Sequence, residues 1–125
     1  IDMNRGEVLW ESVLGTTEAI APLGFAMHTG TPTAGGPLVT AGGLVFISAT
    51  MDYYLRAFDA KTGAELWNVS RPQVGFPKSS WSTPFVWTHA QRTEIVTTGH
   101  GFVISYGLDG RELWRIGGMS MPTAS

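Results

Sequence analysis

The chain of 125 residues contains no cysteine, and only 14% of its side chains are charged. Without cysteine there are no disulfides and no cysteine-ligated metal sites. The charged fraction is well below the roughly one quarter that is usual for globular domains. The formal net charge of −2 argues against a nucleic-acid partner, which needs a basic face. The longest apolar run, residues 42–49, is too short to span a bilayer. With 16 glycines and 7 prolines, the composition favours short strands and tight turns over amphipathic helices.

A glycine followed four positions later by a tryptophan occurs three times. The copies are Gly6 with Trp10, Gly63 with Trp67, and Gly110 with Trp114. The first two glycines are 57 residues apart and the last two 47. A second landmark, "GGPLV" at 35–39 and "STPFV" at 82–86, repeats with the same step of 47. Periods of this size indicate one supersecondary unit per repeat, as in propeller blades.

Short runs rich in Val, Ile, Phe, Tyr, Trp and Thr alternate with turns between these landmarks. The predicted strands cover roughly residues 36–40, 44–50, 54–60, 64–70, 82–88, 93–99, 102–108 and 111–117. "AGG" at 41–43 and "DAKTG" at 59–63 suit hairpin turns, and the second loop has glycine where positive φ is needed. The sequence therefore predicts an all-β fold: a partial β-propeller with about two complete four-stranded antiparallel blades plus flanking partial blades.

The repeated tryptophan ends the outer strand of each predicted blade. Its large flat ring is suited to packing between blades, and the glycine four residues earlier would let the turn tuck under it. The alternative role is stacking on a planar cofactor. The spacing favours the structural role, because all three copies fall in the outer hairpin.

The repeat divides the chain into pieces of a single propeller domain. Residues 1–14 are predicted to end one blade, 15–34 to form a connecting loop, 35–72 and 80–118 to form blades, and 119–125 to begin another. Closed propellers have about four to eight blades, so we expect these residues to be a fragment of a larger ring. The isolated fragment is expected to be inactive, to expose apolar patches, and to be marginally stable or prone to aggregate.

The stretch "GTPTAGGPLVTAGGLVFISATMDYYLRAFDAKTGAELW" at 30–67 resembles the C-terminal propeller blades of pyrroloquinoline-quinone (PQQ) dependent dehydrogenases. The resemblance is to the membrane-bound glucose and quinate dehydrogenase branch. "STPFVW" and "EIVTTGHG" within 82–101 are similar to the next blade of that family, which ends in Gly-Gly-His-Gly. The continuation "FVISYGLDGRELWRIGGMSMPTAS" departs from that branch and resembles the broader group of PQQ-like repeat propellers, many of which are scaffolds.

The resemblance implies oxidation of a sugar or alcohol, of the glucose or quinate type. Two electrons would pass to PQQ held over Ca²⁺ and then to a quinone or cytochrome. It also implies a periplasmic location, with membrane association through segments outside these residues. The Ca²⁺ ligands of that family lie in earlier blades, so no metal ligand is assigned here, and no PQQ-binding residue is assigned either. The alternative function is a non-catalytic PQQ-like β-propeller scaffold that mediates protein–protein interaction.

Two residues are candidate catalytic residues through this resemblance. Asp52, in "TMDYYLRA", matches an aspartate near the active site of the family and would orient the substrate or the base. Its alternative role is to bond its own turn. His100, in "TTGHG", matches the Gly-Gly-His-Gly histidine, and flanking glycines let a backbone approach a ligand closely. The alternative for His100 is an ordinary loop histidine. Arg56 is expected to be an exposed strand residue.

Overall fold

Two four-stranded antiparallel sheets make up the computed structural model, which describes residues 1–17, 27–33, 35–72, 82–99 and 101–119. Within each sheet the strands neighbour one another in chain order. The first sheet contains β1 (Leu38–Val39), β2 (Leu44–Ile47), β3 (Tyr54–Asp59) and β4 (Glu65–Ser70). The second contains β5 (Phe85–Thr88), β6 (Thr93–Gly99), β7 (Gly101–Tyr106) and β8 (Glu112–Met119). The all-β prediction of four-stranded antiparallel blades is therefore confirmed.

The strand bounds differ from the predicted ones where turns begin. β2 ends at Ile47 rather than at residue 50, because residues 48–50 leave the ladder for the turn to β3. Residues 1–14 contribute an isolated bridge between Asp2 and Glu7 rather than a full hairpin. β8 extends to Met119, past the predicted end at residue 117. Residues 120–125, predicted to belong to a following blade, lie outside the described residues, and the division into blades of a larger ring stays a prediction.

The two ends of the sheets carry different connections. We call end A the end with the hairpin turns β1–β2, β3–β4, β5–β6 and β7–β8, and end B the opposite end. End B holds the β2–β3 turn at residues 48–53, the last residue of β6, and the residues that flank the β4–β5 connection, Arg71 and Ser82. Antiparallel pairing in chain order produces this separation, because alternate connections must fall at opposite ends.

The main hydrophobic core lies between the two sheets. Leu55 and Ala57 of β3 are fully buried and share one cluster with Ile95, Ile104 and Tyr106 of the second sheet. Side chains alternate along a strand, so the next residues of β3 face the other way. There Phe58 packs with Val45 and Ile47, and Trp10 and Leu14 cover this second cluster. β2 and β3 are thus buried on both faces, and each large apolar side chain buried in them contributes about 1.5–3 kcal/mol.

Each of the first two repeated tryptophans docks on the following repeat. The indole Nε1 of Trp10 donates to the carbonyl of Ala60 at 2.9 Å, and that of Trp67 donates to the carbonyl of Leu108 at 3.0 Å. A Cβ added to Gly63 would lie 2.5 Å from the ring of Trp10. The expectation that each glycine accommodates the tryptophan of its own repeat was therefore wrong, since the indole against Gly63 comes from one repeat earlier. The predicted packing of tryptophans between repeats is confirmed for Trp10 and Trp67.

Gly110 repeats this arrangement in the second sheet. A Cβ there would lie 2.9 Å from the ring of Trp67, and the residue has a φ of +83°. Trp114, the third copy, instead donates its Nε1 to the carboxylate of Glu94 at 2.7 Å within its own sheet. Trp10 and Trp67 are therefore docking residues between repeats, whereas Trp114 bonds within its own sheet.

The outward face of the second sheet carries exposed apolar side chains. Phe85 is 51% exposed, Trp87 46% and Ile116 58%. This face agrees with the predicted exposure of apolar surface, while the predicted tendency to aggregate stays a prediction. Among the described residues there is no helix of the length and apolarity needed to cross a membrane.

Candidate functional site

Asp52 lies in the β2–β3 turn at end B with its side chain fully buried. Its Oδ1 accepts a hydrogen bond from Arg56 Nη1 at 3.0 Å, and its Oδ2 accepts from Arg56 Nη2 and from the backbone N–H of Thr16 at 2.9 Å. Burial alone would raise the pKa of Asp52, but the hydrogen bonds from Arg56 and Thr50 outweigh it and lower the pKa below its usual value. Both oxygens are engaged, so this carboxylate holds neighbouring groups in place rather than accepting a proton.

Arg56 is buried, with 8% of its surface exposed, and the expectation of an exposed strand residue was wrong. Alternation in β3 turns it away from the inter-sheet core toward residues 1–17, where Asp52 neutralises it. Its Nη1 also donates to Thr50 Oγ1 at 3.0 Å, and its Nε lies 3.6 Å from Glu65 Oε2. The Asp52–Arg56 pair, which we call the latch, fastens the start of the long connection, at Thr16, to β3.

Arg71, immediately after β4, is a second buried guanidinium at end B. It is 5% exposed, and its Nη2 donates to the carbonyl of Ser48. Its backbone N–H donates to the carbonyl of Tyr53 at 2.9 Å. A Cβ added to Gly99 would lie 3.6 Å from its Nη1. Burial lowers the pKa of Arg71 to about 10, so the side chain remains charged at neutral pH.

Hydroxyl groups join the two sheets at the same end. Ser48 Oγ donates to the carbonyl of Ser82 at 3.2 Å, and Ser82 Oγ donates to the carbonyl of Thr98 at 2.9 Å. At end A, by contrast, the polar side chain of Asp59 accepts hydrogen bonds from its own turn, from the N–H groups of Lys61 and Thr62 at 2.9 and 2.8 Å. At end B, side-chain hydroxyl groups therefore link the two sheets.

His100 lies outside the described residues, so its predicted role stays a prediction. The glycines on either side belong to the described strands: Gly99 ends β6 and Gly101 begins β7 with a φ of +93°. Gly99 and Gly101 thus lie at end B, the end that also carries Asp52.

Thr16 and Arg56 of the latch help to line one recess, and a second recess lies at end A. A cleft of about 300 Å³ on the Arg56 side of the first sheet is lined partly by His28, Tyr54 and Asn68. An apolar groove of about 520 Å³ at end A runs between Val39 of the first sheet and Val86 of the second. Among the described residues, no group of three or more His, Asp or Glu side chains could hold a metal ion.

Glu94, on the outward face of the second sheet, is a buried carboxylate that the sequence did not single out. It is 1% exposed and accepts hydrogen bonds from Ser105 Oγ and from Arg92 Nε, the latter at 2.6 Å, while His89 Nε2 lies 2.9 Å away. The hydrogen bonds from Ser105 and His89 lower the pKa of Glu94 to about 2, although burial opposes the shift. The sequence signal that could have identified Glu94 is an acidic residue within a run of β-forming residues. Glu94 lies on β6 near end A, away from Asp52.

Comparison with known proteins places these sheets in a family. Residues 1–94 match the family described as "PQQ: Glucose/ethanol/alcohol dehydrogenase, beta-propeller domain". The chain is 41% identical over 122 residues to the quinate/shikimate dehydrogenase (quinone) of Acinetobacter baylyi, covering 87% of the chain and 15% of that relative. It is 30% identical over 122 residues to the quinoprotein glucose dehydrogenase of Escherichia coli, covering 86% of the chain and again 15% of the relative.

A solved structure agrees in fold. A europium-containing methanol dehydrogenase matches with a TM-score of 0.50 and 27% identity, over 64% of this chain and 14% of that one. The chain therefore spans about one seventh of the length of this structure and of the two curated relatives. Because the family match covers three quarters of its residues, the chain belongs to the PQQ-dependent dehydrogenase β-propeller family.

Proposed function

We propose that this chain is part of the propeller of a PQQ-dependent dehydrogenase that oxidises a sugar or alcohol of the glucose or quinate type. The observation that carries the proposal is the family match over residues 1–94, which contains both sides of the latch, Thr16 and the Asp52–Arg56 pair. Relatives named for quinate, shikimate and glucose support this substrate class. The scaffold alternative is not favoured, because the matched family and these relatives are dehydrogenases.

The cofactors proposed are PQQ and Ca²⁺, and the acceptor is a quinone or cytochrome. PQQ, when bound, would supply the two-electron redox chemistry. The described residues contain no acidic cluster that fits Ca²⁺, so no ligand to the ion is assigned among them. We also propose a periplasmic location, with membrane association through segments outside these residues.

The residues of this chain are proposed to shape one rim of the pocket at end B. Asp52 would orient the groups around the substrate, as its two engaged oxygens favour. His100 would be a pocket residue that contacts the substrate. The hydroxyl network between Ser48, Ser82 and Thr98 supports a fixed relation between the two sheets at that rim.

The test is reduction of a dye acceptor by the full-length protein that contains these residues, with PQQ and Ca²⁺ present and glucose or quinate as substrate. We expect PQQ-dependent turnover, and a loss of about 100-fold or more in kcat for His100→Ala, the usual size of the loss when a proton-transfer group is removed. The control is Lys61→Ala, because Lys61 is exposed in the β3–β4 turn at end A, the end opposite the proposed pocket rim, and should leave turnover unchanged. A full-length protein that binds no PQQ and oxidises neither substrate would contradict this proposal and favour the scaffold function.

A further inference from the structure

The cleft of about 300 Å³ on the Arg56 side of the first sheet is built from three separate parts of the chain. The segment that contains Thr16 lines one part of it and His28 lines another, while β3 and β4 supply Tyr54, Arg56 and Asn68. Its volume is at the lower end of the range of ligand pockets, about 300–1,000 Å³, so the cleft suits a small molecule.

The register of β3 and β4 brings polar side chains of the cleft to one face of the sheet. Arg56 lies directly opposite Asn68, and Tyr54 is two residues before Arg56 on the same strand. Residues two apart on a strand share a face, as do residues directly opposite each other across a ladder. The three side chains therefore line one side of the cleft together.

The second sheet shows that the repeat can be built without an arginine at this position. In each outer strand, the residue after the repeated tryptophan lies opposite a residue of the neighbouring strand: Asn68 opposite Arg56 in β4, and Arg115 opposite Ile104 in β8. Ile104 is 3% exposed and packs in the core between the two sheets. An apolar side chain thus fills this position in the second sheet, whereas the first sheet has a charged group beside a cleft.

Two carboxylates flank the guanidinium of Arg56 in different ways. Among the described residues, its hydrogen bonds leave from the two Nη atoms, which donate to Asp52 and Thr50. Its Nε faces Glu65 Oε2 from 3.6 Å, which is too far for a hydrogen bond. Glu65 also lines the cleft, and its side chain is 37% exposed. One donor and one acceptor therefore face each other at the cleft without a hydrogen bond between them.

A hydroxyl is the ligand group that matches this donor and acceptor. It can accept a hydrogen bond from Arg56 Nε and donate one to Glu65 Oε2 at the same time. A carboxylate would be repelled by Glu65, and an ammonium would be repelled by Arg56. Asn68 donates its Nδ2 to Glu65 Oε1 at 2.6 Å, so its Oδ1 can accept from a second hydroxyl. Several hydroxyls on a small neutral frame therefore suit the cleft better than a charged group.

We propose that this cleft binds a neutral polyol of monosaccharide size, with one hydroxyl bridging Arg56 and Glu65 and another donating to Asn68. The inference does not rest on the proposed function, because binding here needs neither PQQ nor turnover. Thr16 lines the same cleft and donates its backbone N–H to Asp52 at 2.9 Å. A polyol bound here would therefore contact both the segment around Thr16 and the first sheet.

The experiment titrates the full-length protein with myo-inositol and with quinate, without an added electron acceptor so that turnover does not continue. Both probes are cyclic polyhydroxy compounds of similar size, and only quinate carries a negative charge. In isothermal titration calorimetry we expect inositol to bind with a Kd on the order of 1 mM, as is usual for a ligand of about 12 non-hydrogen atoms. Hydrogen exchange followed by mass spectrometry locates the binding. Inositol should slow exchange in peptides covering residues 13–16 and 65–68, and quinate should need at least about 10-fold higher concentration for the same effect.

Two variants with matched controls test the contacts. Asn68→Leu and Glu65→Gln should each weaken inositol binding about 10-fold, the effect of one hydrogen bond lost from a binding site. Glu65→Gln should also reduce the preference for inositol over quinate, because it removes the carboxylate that repels the anion. The controls are Arg115→Leu and Glu112→Gln, at the corresponding places on β8, and both should leave binding unchanged. Asn68 and Glu65 are exposed, so their variants should keep the thermal midpoint of the wild type.

The outcomes separate this inference from the proposed function. Inositol binding that Asn68→Leu and Glu65→Gln leave unchanged lies elsewhere and overturns the cleft as its site, and so does stronger protection of these peptides by quinate than by inositol. Protein that oxidises glucose or quinate but shows no protection by inositol keeps the proposed function and overturns the inference. Protein without turnover that shows the expected binding and variant effects does the reverse. If Asn68→Leu does not fold, the nearly isosteric Glu65→Gln decides by the same criteria.

Discussion

Replacing Gly110 with alanine tests the tryptophan docking, because this glycine forms the surface on which the Trp67 ring rests. A Cβ there would lie 2.9 Å from the Trp67 ring and 3.1 Å from a methyl of Val69. The substitution therefore adds backbone strain and also displaces the indole. The matched control is Gly43→Ala, since Gly43 has a φ of +82°, close to the +83° of Gly110, with nothing within 4 Å of its added Cβ.

The difference between these two variants isolates the docking. Left-handed backbone costs an alanine about 1–2 kcal/mol at either position. At residue 110 the displaced Trp67 also loses its hydrogen bond to the Leu108 carbonyl, worth about 1 kcal/mol, and part of its ring packing, worth about 1 kcal/mol more. We expect Gly110→Ala to be less stable than Gly43→Ala by about 2 kcal/mol.

The assay is urea unfolding of the chain followed by far-ultraviolet circular dichroism. With a denaturant slope of about 1–2 kcal/mol/M, the two midpoints should differ by about 1–2 M. Equal midpoints for the two variants would refute the reasoning, because the strain alone would then account for the loss and the indole would contribute nothing.

Three further predictions concern charge and exposed surface. The pKa of Glu94 in the folded protein is about 2, below its ordinary value of 4.5, so the stability that this carboxylate contributes is present above about pH 4.5 and is lost as the pH falls toward 2. The urea midpoints of the wild type and Glu94→Gln should therefore converge as the pH is lowered, and a constant difference between them would contradict this. Asp52→Asn leaves Arg56 without its buried partner and should lower the free energy of unfolding by about 3 kcal/mol, at the lower end of the usual range because Glu65 remains 3.6 Å from Arg56. Denaturation measures this loss, and adding Arg56→Met should restore part of it. Ile116 is 58% exposed, so Ile116→Lys should reduce self-association of the chain as measured by light scattering. Unchanged scattering would show that another surface mediates the self-association.

The strands and their order were predictable because local chemistry specifies them. Runs of β-branched and aromatic residues separated by glycine turns gave strands close to their actual places, and Gly63 has the positive φ, +72°, that its hairpin predicts. The spacing of glycine and tryptophan also predicted packing between repeats. It could not identify the partners, because Trp10 reaches a carbonyl 50 residues later, and a periodic pattern fits own-repeat and next-repeat contacts equally well.

The polar residues at end B were less accessible to sequence reasoning. Asp52 was found through a family resemblance, whereas the burial of Arg56 depends on Asp52 lying behind it in the fold. Arg71 follows a strand as an ordinary-looking surface arginine, and its contact with Ser48 joins residues 23 positions apart. Such contacts join segments that are distant in the sequence, which composition and period do not encode.

The docking bonds of Trp10 and Trp67 have a consequence for how the number of blades can change. Each repeat contains both a receiving surface and a donor: Gly63 receives the indole of Trp10, and Trp67 in the same hairpin reaches forward to the loop of Gly110. Excising the unit of 47 residues between Gly63 and Gly110 would bring Trp10 opposite an equivalent glycine, and duplicating it would insert a matching pair. Gain or loss of a whole repeat therefore preserves the pairing of indole and glycine at every junction, whereas gain or loss of half a repeat leaves one of them without its counterpart.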